Sequence, residues 1–481
     1  MKRIVAIVLI AVLLLPALPF AGAAFKDEMQ IDVKYRSAVN EMTERKIISG
    51  FEDGSFAPKK TLTRAQAAKI LCVVLEGAEK ADALTKTETG FSDVPASHWA
   101  AKYVAYCVDK GIVAGVGDGK FNPDGVLSAA AFAKMLLVAY GADASKFVGS
   151  DWMASVKSAV GKAFLDNNLK DFTDRALPRE EACQMAYNAV CLAEAKETKA
   201  KQKTNRPMPE GVPESLKLLA IGNSFSNDAT MYYLLEMLQS VGVKNVTIGN
   251  LYYSGCTVQR HATFALRDFD GYIYYKPVSG SDYGKHPNYT LKQSVLDEDW
   301  DYICFCGGTE PHMTVLTHYV QLLRPEANFI HAFFWADAKT SKRANLNKVH
   351  GGDQMKQYQS KVDTVKTVAE PDPRIRFSIP TGTVIQNART SFLGDNLDRD
   401  TYHLNKGIGR YMASMIWCCK LTGVSPESIT WYPEDRIMKY IPKGQSADTP
   451  GLAEKLRQVA VESVANALAN PYEVTQSKIT S

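Results

Sequence analysis

A serine in the second half of the chain has the surroundings that a nucleophile needs. The segment Ile221-Gly222-Asn223-Ser224-Phe225-Ser226 follows an apolar run typical of a buried strand and precedes a helical pattern. At the start of a helix, backbone N–H groups without an intrahelical partner can stabilise an oxyanion beside such a serine. Because the same residues are also typical of simple helix capping, Ser224 requires a base before it counts as a nucleophile.

A histidine near the other end of the chain is the best candidate for that base. In the segment Asp398-Arg399-Asp400-Thr401-Tyr402-His403-Leu404-Asn405, a carboxylate precedes the imidazole by three residues. A hydroxyl is a weak nucleophile unless a base removes its proton, and the base needs a carboxylate that fixes its tautomer. We therefore predict that His403 activates Ser224 and that Asp400 orients His403. The same spacing also occurs in surface turns, and His312 is the best rival base.

Buried strands separated by helical patterns are predicted to position these residues. The apolar runs expected to form strands are 216–221, 246–251, 300–305, 329–334 and 376–379, and a helix is expected over 231–241. This alternation predicts a parallel sheet covered on both faces. In such a sheet the reactive groups gather at the carboxyl ends of the strands, which is where Ser224 stands.

The first half of the chain contains an internal repeat. Asp53-Gly54-Ser55-Phe56-Ala57-Pro58 recurs 65 residues later as Asp118-Gly119-Lys120-Phe121-Asn122-Pro123, and each copy lies between two helical patterns. The Asp-Gly pair permits a tight turn, and the Thr or Ser before the second helix is a natural N-cap. A weaker third copy is visible at 152–160 and 177–182, so we predict three helix-turn-helix units.

These residues resemble the S-layer homology (SLH) repeat, whose landmarks include Phe91-Ser92-Asp93-Val94, His98-Trp99-Ala100 and Thr63-Arg64-Ala65-Gln66. The resemblance implies an all-α module of three repeats, at 33–78, 88–143 and 148–192, that binds secondary cell-wall polysaccharide. It implies that Arg64 and Arg179, together with Trp99, bind this polymer, whereas Ala129 replaces the arginine in the second copy. The alternative is a helical scaffold without a ligand.

Residues 216–470 resemble the SGNH (GDSL-like) hydrolases, specifically an uncharacterised branch, and the charged segment 193–215 is predicted to be a linker. The resemblance places Gly222–Ser226 in the first block, Tyr253-Ser254-Gly255-Cys256-Thr257 in the second and Asp400-x-x-His403 in the last. It implies a flavodoxin-like three-layer α/β fold, so the fold class expected for the whole chain is multidomain.

The SGNH resemblance also assigns roles around the nucleophile. It implies an oxyanion hole formed by the N–H groups of Ser224 and Gly255. Where the family has an Asn or Gln donor, this chain has Cys306-Gly307-Gly308-Thr309, so Thr309, or a backbone N–H of Gly307 or Gly308, is predicted to substitute. The substrate pocket is expected to include Asn223, His261 and Trp335, with a structural role as the alternative for His261. Neither the histidine nor the cysteine spacing indicates a metal site, and no cofactor is expected.

The first 23 residues are predicted to be a signal peptide. Lys2-Arg3 precede the apolar run 4–20, and Ala21-Gly22-Ala23 provide small residues for cleavage. The alternative is a retained membrane helix, although Pro16 and Pro19 would interrupt it. With the leader removed, the mature chain is expected to be secreted, without a transmembrane helix.

Composition limits the remaining possibilities. The 481 residues are 46% hydrophobic and 22% charged, which is typical of globular domains, and the net charge of +4 gives no reason to expect a nucleic-acid partner. The nine cysteines lie mostly in apolar runs and are expected to be buried rather than paired.

Taken together, the motifs predict a serine esterase at the cell surface, attached to the cell wall or S-layer. It would remove O-acyl groups, acetyl above all, from a carbohydrate. The alternative is a non-catalytic protein of the cell surface that binds glycan or has a structural role in the S-layer.

Overall fold

The chain was described from a computed structural model that covers residues 25–161, 163–165, 174–201, 211–277 and 284–479. It divides into two compact units. The first comprises residues up to Glu197 together with Leu266–Asp268, and the second comprises Thr198–Ala265 and Phe269–Ser481. The predicted signal peptide, 1–23, lies outside the described residues.

The first unit is helical in its described residues. Its helices are α1 (Val33–Glu44), α2 (Arg64–Glu76), α3 (Ala78–Asp82), α4 (Ala101–Asp109), α5 (Ala129–Ala139), α6 (Trp152–Val160) and α7 (Arg179–Lys201), with short 3-10 turns at Glu28–Gln30 and Ala144–Phe147.

The predicted capping and turn chemistry is confirmed in this unit. The Thr63 side chain accepts a hydrogen bond from the Gln66 N–H at the start of α2, and Ser128 caps α5 in the same way. Gly54 and Gly119 have φ values of +80° and +65°, a conformation that side chains rarely adopt. The Asp-Gly pairs therefore form the turns that join the paired helices.

A ring of three backbone hydrogen bonds joins equivalent points of the helical unit. The Leu62 N–H donates to the Leu177 carbonyl at 2.8 Å, the Leu127 N–H to the Leu62 carbonyl at 2.8 Å, and the Leu177 N–H to the Leu127 carbonyl at 3.0 Å. Each leucine is buried and lies just before α2, α5 or α7. The segment before α7 thus occupies the same position as the corresponding segments of the two clear repeats.

The predicted linker begins later than the sequence suggested. Helix α7 continues through 193–201, so the first part of the 193–215 segment is helical. Its residues Ala193 and Ala195 are buried, which explains why a charged segment still extends the helix. Residues 202–210 lie outside the described part of the chain.

The second unit is built on a seven-stranded sheet. Its strands are β1 (Ser215–Gly222), β2 (Asn245–Tyr252), β3 (Tyr272–Tyr275), β4 (Lys285–Tyr289), β5 (Tyr302–Cys306), β6 (Asn328–Ala332) and β7 (Ile375–Ile379). The order across the sheet is β4-β3-β2-β1-β5-β6-β7. Strands β2, β1, β5, β6 and β7 are parallel to one another, whereas β3 and β4 form an antiparallel hairpin at the edge.

Helices connect the parallel strands and complete the unit. They are α8 (Ser224–Thr230), α9 (Leu234–Ser240), α10 (Val258–Leu266), α11 (Leu291–Leu296), α12 (His312–Leu323), α13 (Gln354–Thr364), α14 (Thr381–Arg389), α15 (Ile408–Thr422), α16 (Glu434–Met438) and α17 (Leu452–Ala469), with single turns at Asn345–Val349, Val365–Ala369 and Pro426–Ser428.

The core covers both faces of the central strands. Leu218 and Leu219 point to opposite faces of β1, and both are fully buried. All five predicted strands are present, within two residues at each end. The β3–β4 hairpin was not predicted, and it makes the sheet mixed because β3 runs antiparallel to β2. The predicted helix 231–241 is shorter, since α9 begins at Leu234.

Cysteine chemistry follows the prediction from composition. All nine cysteines are free and buried. Burial raises the pKa of Cys256 and of Cys418 to about 12, so these thiols are protonated at neutral pH.

Candidate active site

Ser224 stands where the first strand of the sheet gives way to a helix. Strand β1 ends at Gly222, Asn223 caps α8, and Ser224 is the first residue of that helix. The Asn223 side chain accepts a hydrogen bond from the Phe225 N–H at 2.9 Å and donates one to the Cys256 carbonyl at 2.8 Å. The strand order reverses at β1, between β2 and β5, which is the position where open α/β sheets form a crevice.

The three predicted residues form a continuous chain of hydrogen bonds. His403 Nε2 lies 2.7 Å from Ser224 Oγ, and His403 Nδ1 lies 2.7 Å from Asp400 Oδ2. The backbone N–H of His403 also donates to Asp400 Oδ1 at 2.8 Å. A proton on Nδ1, held by Asp400, leaves Nε2 free to accept the serine proton.

The charge of Asp400 is maintained by this arrangement. Partial burial favours the neutral acid, but the hydrogen bonds from His403 outweigh it and hold the pKa of Asp400 below its usual value. Asp400 is therefore ionised throughout the neutral range, as the orienting carboxylate of a triad must be.

The loop that carries His403 is a tight, internally bonded turn. Asp398 and Leu404 form an antiparallel bridge, and the Arg399 N–H donates to the His403 carbonyl at 2.8 Å. At its tip Thr401 has a φ of +73°, which a non-glycine residue adopts rarely. These bonds hold the imidazole in place from its own loop.

Asp228 joins the histidine loop to the serine helix. It lies one helical turn after Ser224 on α8, is buried, and accepts a hydrogen bond from the Leu404 N–H at 2.9 Å. Arg399 Nη1 lies 3.0 Å from Asp228 Oδ2, and Arg410 Nη2 lies 2.6 Å from Asp228 Oδ1. We did not predict this residue, although an aspartate four positions after the serine was a visible signal.

A cavity of about 300 Å³ opens beside the triad. Ser224, His403 and Gly255 border it, and Gly255 has a φ of +60° in the turn after β2. Asn223 also borders it, as predicted for a pocket residue. Its other lining residues are Phe225, Asn227, Asp228, Tyr232, Tyr252, Ser254, Arg343, Arg399, Tyr402 and Arg410.

Two predicted pocket residues lie inside the protein instead. Trp335 is fully buried, packs on Phe225 with ring centroids 4.9 Å apart, and donates from Nε1 to the Tyr402 carbonyl at 2.7 Å. His261 is also buried, with Nδ1 2.8 Å from the Tyr272 hydroxyl, and burial lowers its pKa to about 3. Neither side chain lines the cavity beside Ser224, because Trp335 packs on Phe225 and His261 bonds to Tyr272 in the interior, which agrees with the structural alternative for His261.

Thr309 is not among the residues that border the triad cavity. It lines a second cavity of about 270 Å³, together with Cys306, Gly307 and Gly308, and its Oγ1 lies 3.4 Å from His312 Nδ1. Asn223 and Phe225 line both cavities and therefore lie between them. The predicted rival base, His312, is therefore paired with Thr309, and neither borders the space beside Ser224.

In the helical unit, Arg64 and Arg179 bond to backbone carbonyls of a neighbouring repeat. Arg64 donates to the Phe121 carbonyl at 2.7 Å and to the Ala114 carbonyl at 2.8 Å. Arg179 makes the equivalent bonds, to Phe56 at 3.0 Å and Ser49 at 2.9 Å, and is buried. Both arginines therefore connect repeats, and Arg179 offers little surface to a polymer.

Trp99 is the predicted polymer-binding residue that lies on the surface. Its side chain is 52% exposed and stacks on His98 with ring centroids 5.8 Å apart. The first repeat begins earlier than predicted: Asp27 accepts hydrogen bonds from the Phe56 and Ala57 N–H groups, as Asp93 does from the Phe121 and Asn122 N–H groups in the next repeat. The signal was Phe25-Lys26-Asp27, which parallels Phe91-Ser92-Asp93.

Within the described ranges, no group of three His, Cys, Asp or Glu side chains is placed to hold a metal ion. No helix in those ranges is long and apolar enough to cross a membrane.

These observations define a helical repeat region followed by a mixed α/β domain with a Ser-His-Asp constellation. The family model for the S-layer homology domain matches residues 24–68 and 90–133, and that for the Domain of unknown function (DUF4886) matches 217–440. The chain thus contains two S-layer homology repeats and a DUF4886 domain. The third predicted repeat, 148–192, stays a prediction.

Similar proteins were found for each region. The chain is 36% identical over 93 residues to Cell surface glycoprotein 1 of Acetivibrio thermocellus, and 36% identical over 86 residues to the Cellulosome-anchoring protein of the same organism. These matches cover 19% and 18% of this chain but 4% and 19% of the relatives, so the chain spans less than a fifth of either. They point to attachment at the cell surface.

A solved structure is similar to the second region. A DUF4886 family protein from Bacteroides uniformis has 31% sequence identity and a TM-score of 0.47; the match covers 56% of this chain and all of that one.

Proposed function

We propose that the DUF4886 domain is a serine ester hydrolase that removes O-acyl groups, acetyl above all, from a carbohydrate at the cell surface. The single observation that carries the proposal is the hydrogen-bonded chain from Ser224 through His403 to Asp400, beside an open cavity. Two contacts of 2.7 Å in the required order match the geometry of a nucleophile, its base and the orienting acid.

The reaction follows from that geometry. His403 takes the proton of Ser224 as Oγ attacks the ester carbonyl carbon, and Asp400 stabilises the resulting imidazolium. The backbone N–H groups of Ser224 and Gly255 face the developing oxyanion. His403 then returns the proton to the departing sugar hydroxyl, and water activated by the same imidazole releases the acid and regenerates Ser224.

The fold is consistent with an SGNH hydrolase. The parallel strands run in the order β2-β1-β5-β6-β7, which is the 2-1-3-4-5 order of flavodoxin-like sheets, and both faces are covered. The blocks at Gly222–Ser226, Gly255 and Asp400–His403 meet at one cavity. The SGNH assignment is part of the proposal.

A mutational test separates catalysis from folding. We expect Ser224→Ala to reduce hydrolysis of p-nitrophenyl acetate by about 10³-fold or more, because the nucleophile is lost, while the far-UV spectrum and melting temperature stay unchanged. Equal activity in the Ser224→Ala protein would refute the assignment. Ser226→Ala is the matched control, since that hydroxyl is buried and lies 2.8 Å from Asn250 Oδ1 rather than in the cavity.

A non-catalytic glycan-binding or structural role is the second candidate. The position of Thr309 in a separate cavity favours it, because the third donor expected from the SGNH resemblance does not border Ser224. A fluorophosphonate probe discriminates, since it labels only an activated serine. Labelling that requires Ser224 and His403 supports the hydrolase, and absence of labelling supports the binding role.

We further propose that the SLH region attaches the chain to secondary cell-wall polysaccharide. The exposed indole of Trp99 supports this, because aromatic faces stack on sugars. We expect Trp99→Ala to lower cosedimentation with purified wall polymer without lowering the melting temperature. Arg64→Ala should lower both, since it removes bonds between repeats. Unchanged cosedimentation of both variants would overturn the proposal.

A further inference from the structure

We propose that Arg343 selects an acylated carbohydrate that carries an anionic group, a carboxylate or a phosphate, close to the ester. This inference rests on the proposed hydrolase function and names its class of substrate.

Arg343 is held at the cavity rim beside the catalytic imidazole. Its guanidinium lies 4.2 Å from the centroid of the Tyr402 ring, and that ring lies 4.0 Å, centroid to centroid, from His403. On its other side Nη1 donates to Asp337 Oδ1 at 3.0 Å. A stacked and hydrogen-bonded guanidinium is fixed in orientation, so less entropy is lost when it binds a ligand.

Arg343 lines the cavity and is also open to solvent. Its side chain is 44% exposed, whereas that of Asp337 is buried. Among the described residues, the bond from Nη1 to Asp337 is the one hydrogen bond that this guanidinium makes. The guanidinium therefore has N–H groups available to donate to the two oxygen atoms of a carboxylate or phosphate.

Positive charge dominates the ionisable side chains that line the cavity. Three arginines border it, Arg343, Arg399 and Arg410, against one carboxylate, Asp228. Asp228 is already engaged by Arg399 and Arg410 and is buried beneath them. Behind Arg343, the Asp337 carboxylate is shared electrostatically with Lys361. Arg343 is the most exposed of the three arginines, at 44% against 30% for Arg399 and 5% for Arg410, so it is the one most accessible to a ligand.

This arrangement suits an acidic sugar better than a neutral one. The pair with Asp337 leaves the exposed part of the Arg343 guanidinium hydrated, and a neutral glycan that covered it would cost desolvation free energy. A carboxylate or phosphate next to the acylated hydroxyl would instead form a charge-assisted pair with Arg343 while the ester lies at Ser224.

The test compares acetate release from three polymers of equal acetyl content: O-acetylated polygalacturonate, O-acetylated poly(glycerol phosphate) and O-acetylated xylan. We expect KM to be about tenfold lower for an anionic polymer than for xylan, and the two anionic polymers identify which anion is preferred. Arg343→Met should raise the KM of the preferred polymer about tenfold and the KM of xylan by much less.

Arg436→Met is the matched control. Its guanidinium also stacks on a tyrosine, 4.3 Å from the Tyr233 centroid, and pairs with Glu236 at 3.0 Å, but it does not border the cavity. Because Arg343→Met leaves Asp337 unpaired, the double variant Arg343→Met/Asp337→Asn checks that any effect is not misfolding. Equal KM values for anionic and neutral polymers in the wild type, or an equal rise for both in Arg343→Met, would overturn the proposal.

Binding measurements separate this inference from the hydrolase proposal. In the Ser224→Ala background, affinity electrophoresis in gels containing unacetylated polygalacturonate or poly(glycerol phosphate) reports retention without turnover. Retention that falls with Arg343→Met but not with Arg436→Met supports the anion site even if no polymer is hydrolysed. Retention that is equal in all of these proteins overturns it, whatever the esterase assays give.

Discussion

Replacing Asp228 with Asn tests whether the histidine loop is positioned by the serine helix. Asp228 is buried and pairs with two arginines, and it accepts the Leu404 N–H. The substitution keeps one acceptor oxygen for Leu404 but removes the charge that Arg399 and Arg410 face. Removing one partner of a buried ion pair costs about 3–5 kcal/mol of folding free energy.

That free energy translates into a measurable shift. A domain of this size loses about 2–4 °C of melting temperature per kcal/mol, so Asp228→Asn should lower it by about 6–20 °C. The same change releases the loop between Arg399 and Leu404, and a displacement of about 1 Å between nucleophile and base costs about 10²-fold in rate. Hydrolysis of p-nitrophenyl acetate should be measured well below the lowered melting temperature.

A second buried aspartate provides the control. Asp372 is equally buried and pairs with Arg374 through bonds of 2.9 and 2.7 Å, but it borders neither cavity at the sheet edge. Asp372→Asn should therefore lose comparable stability and keep its kcat. If both variants retained the same kcat, Asp228 would be only a structural residue and the positioning argument would fail.

Three further predictions concern charge, thiols and the repeats. The pKa of Asp400 is lowered in the folded chain, so the stabilisation that its ionised form provides is present above the unfolded pKa of about 3.9 and is lost as pH falls through the folded pKa. The melting-temperature difference between wild type and Asp400→Asn should therefore be present at pH 7 and disappear once pH falls below the folded pKa of Asp400. Ellman's reagent should titrate nine thiols after unfolding in guanidinium and almost none in the native chain, because every cysteine is buried; rapid native reaction of Cys256 would contradict this. Arg179→Ala should destabilise the helical unit by about 2–3 kcal/mol through two lost hydrogen bonds, seen as an earlier calorimetric transition, and Arg179→Lys should not restore it, because an ammonium cannot span both carbonyls.

The sequence predicted the central strands because their signal is local. Runs such as 216–221 and 300–305 are apolar except for Lys217 and Asp301, which is typical of strands buried on both faces. Strand β4 of the hairpin carries no such signal, because Lys285–Tyr289 is largely exposed and polar. This segment is extended because its backbone pairs with Tyr272–Tyr275, and its composition does not indicate a strand. Edge strands of this kind are visible only once their partners are in place.

The residues of the candidate site also divide into those that local sequence could predict and those that it could not. The placement of Ser224 and His403 was predictable because each has a distinctive local motif, and the chemistry of one requires the other. The burial of Trp335 and His261 was not predictable, since an aromatic side chain beside a strand end can face the cavity or the core with the same sequence pattern. Here Phe225 and Tyr272 supply the apolar partners that decide the outcome.

The position of Asp228 also explains why the segment Cys306-Gly307-Gly308-Thr309 can differ from the SGNH pattern without disturbing the triad. Ser224 and Asp228 lie one turn apart on α8, so a single helical turn carries both the nucleophile and the anchor of the loop that holds His403. The distance between serine and imidazole is therefore fixed without any contribution from the loop after β5. Thr309 and its neighbours contact a different cavity, and substitutions there should change substrate binding or oxyanion stabilisation while the hydrogen bond from Ser224 to His403 persists.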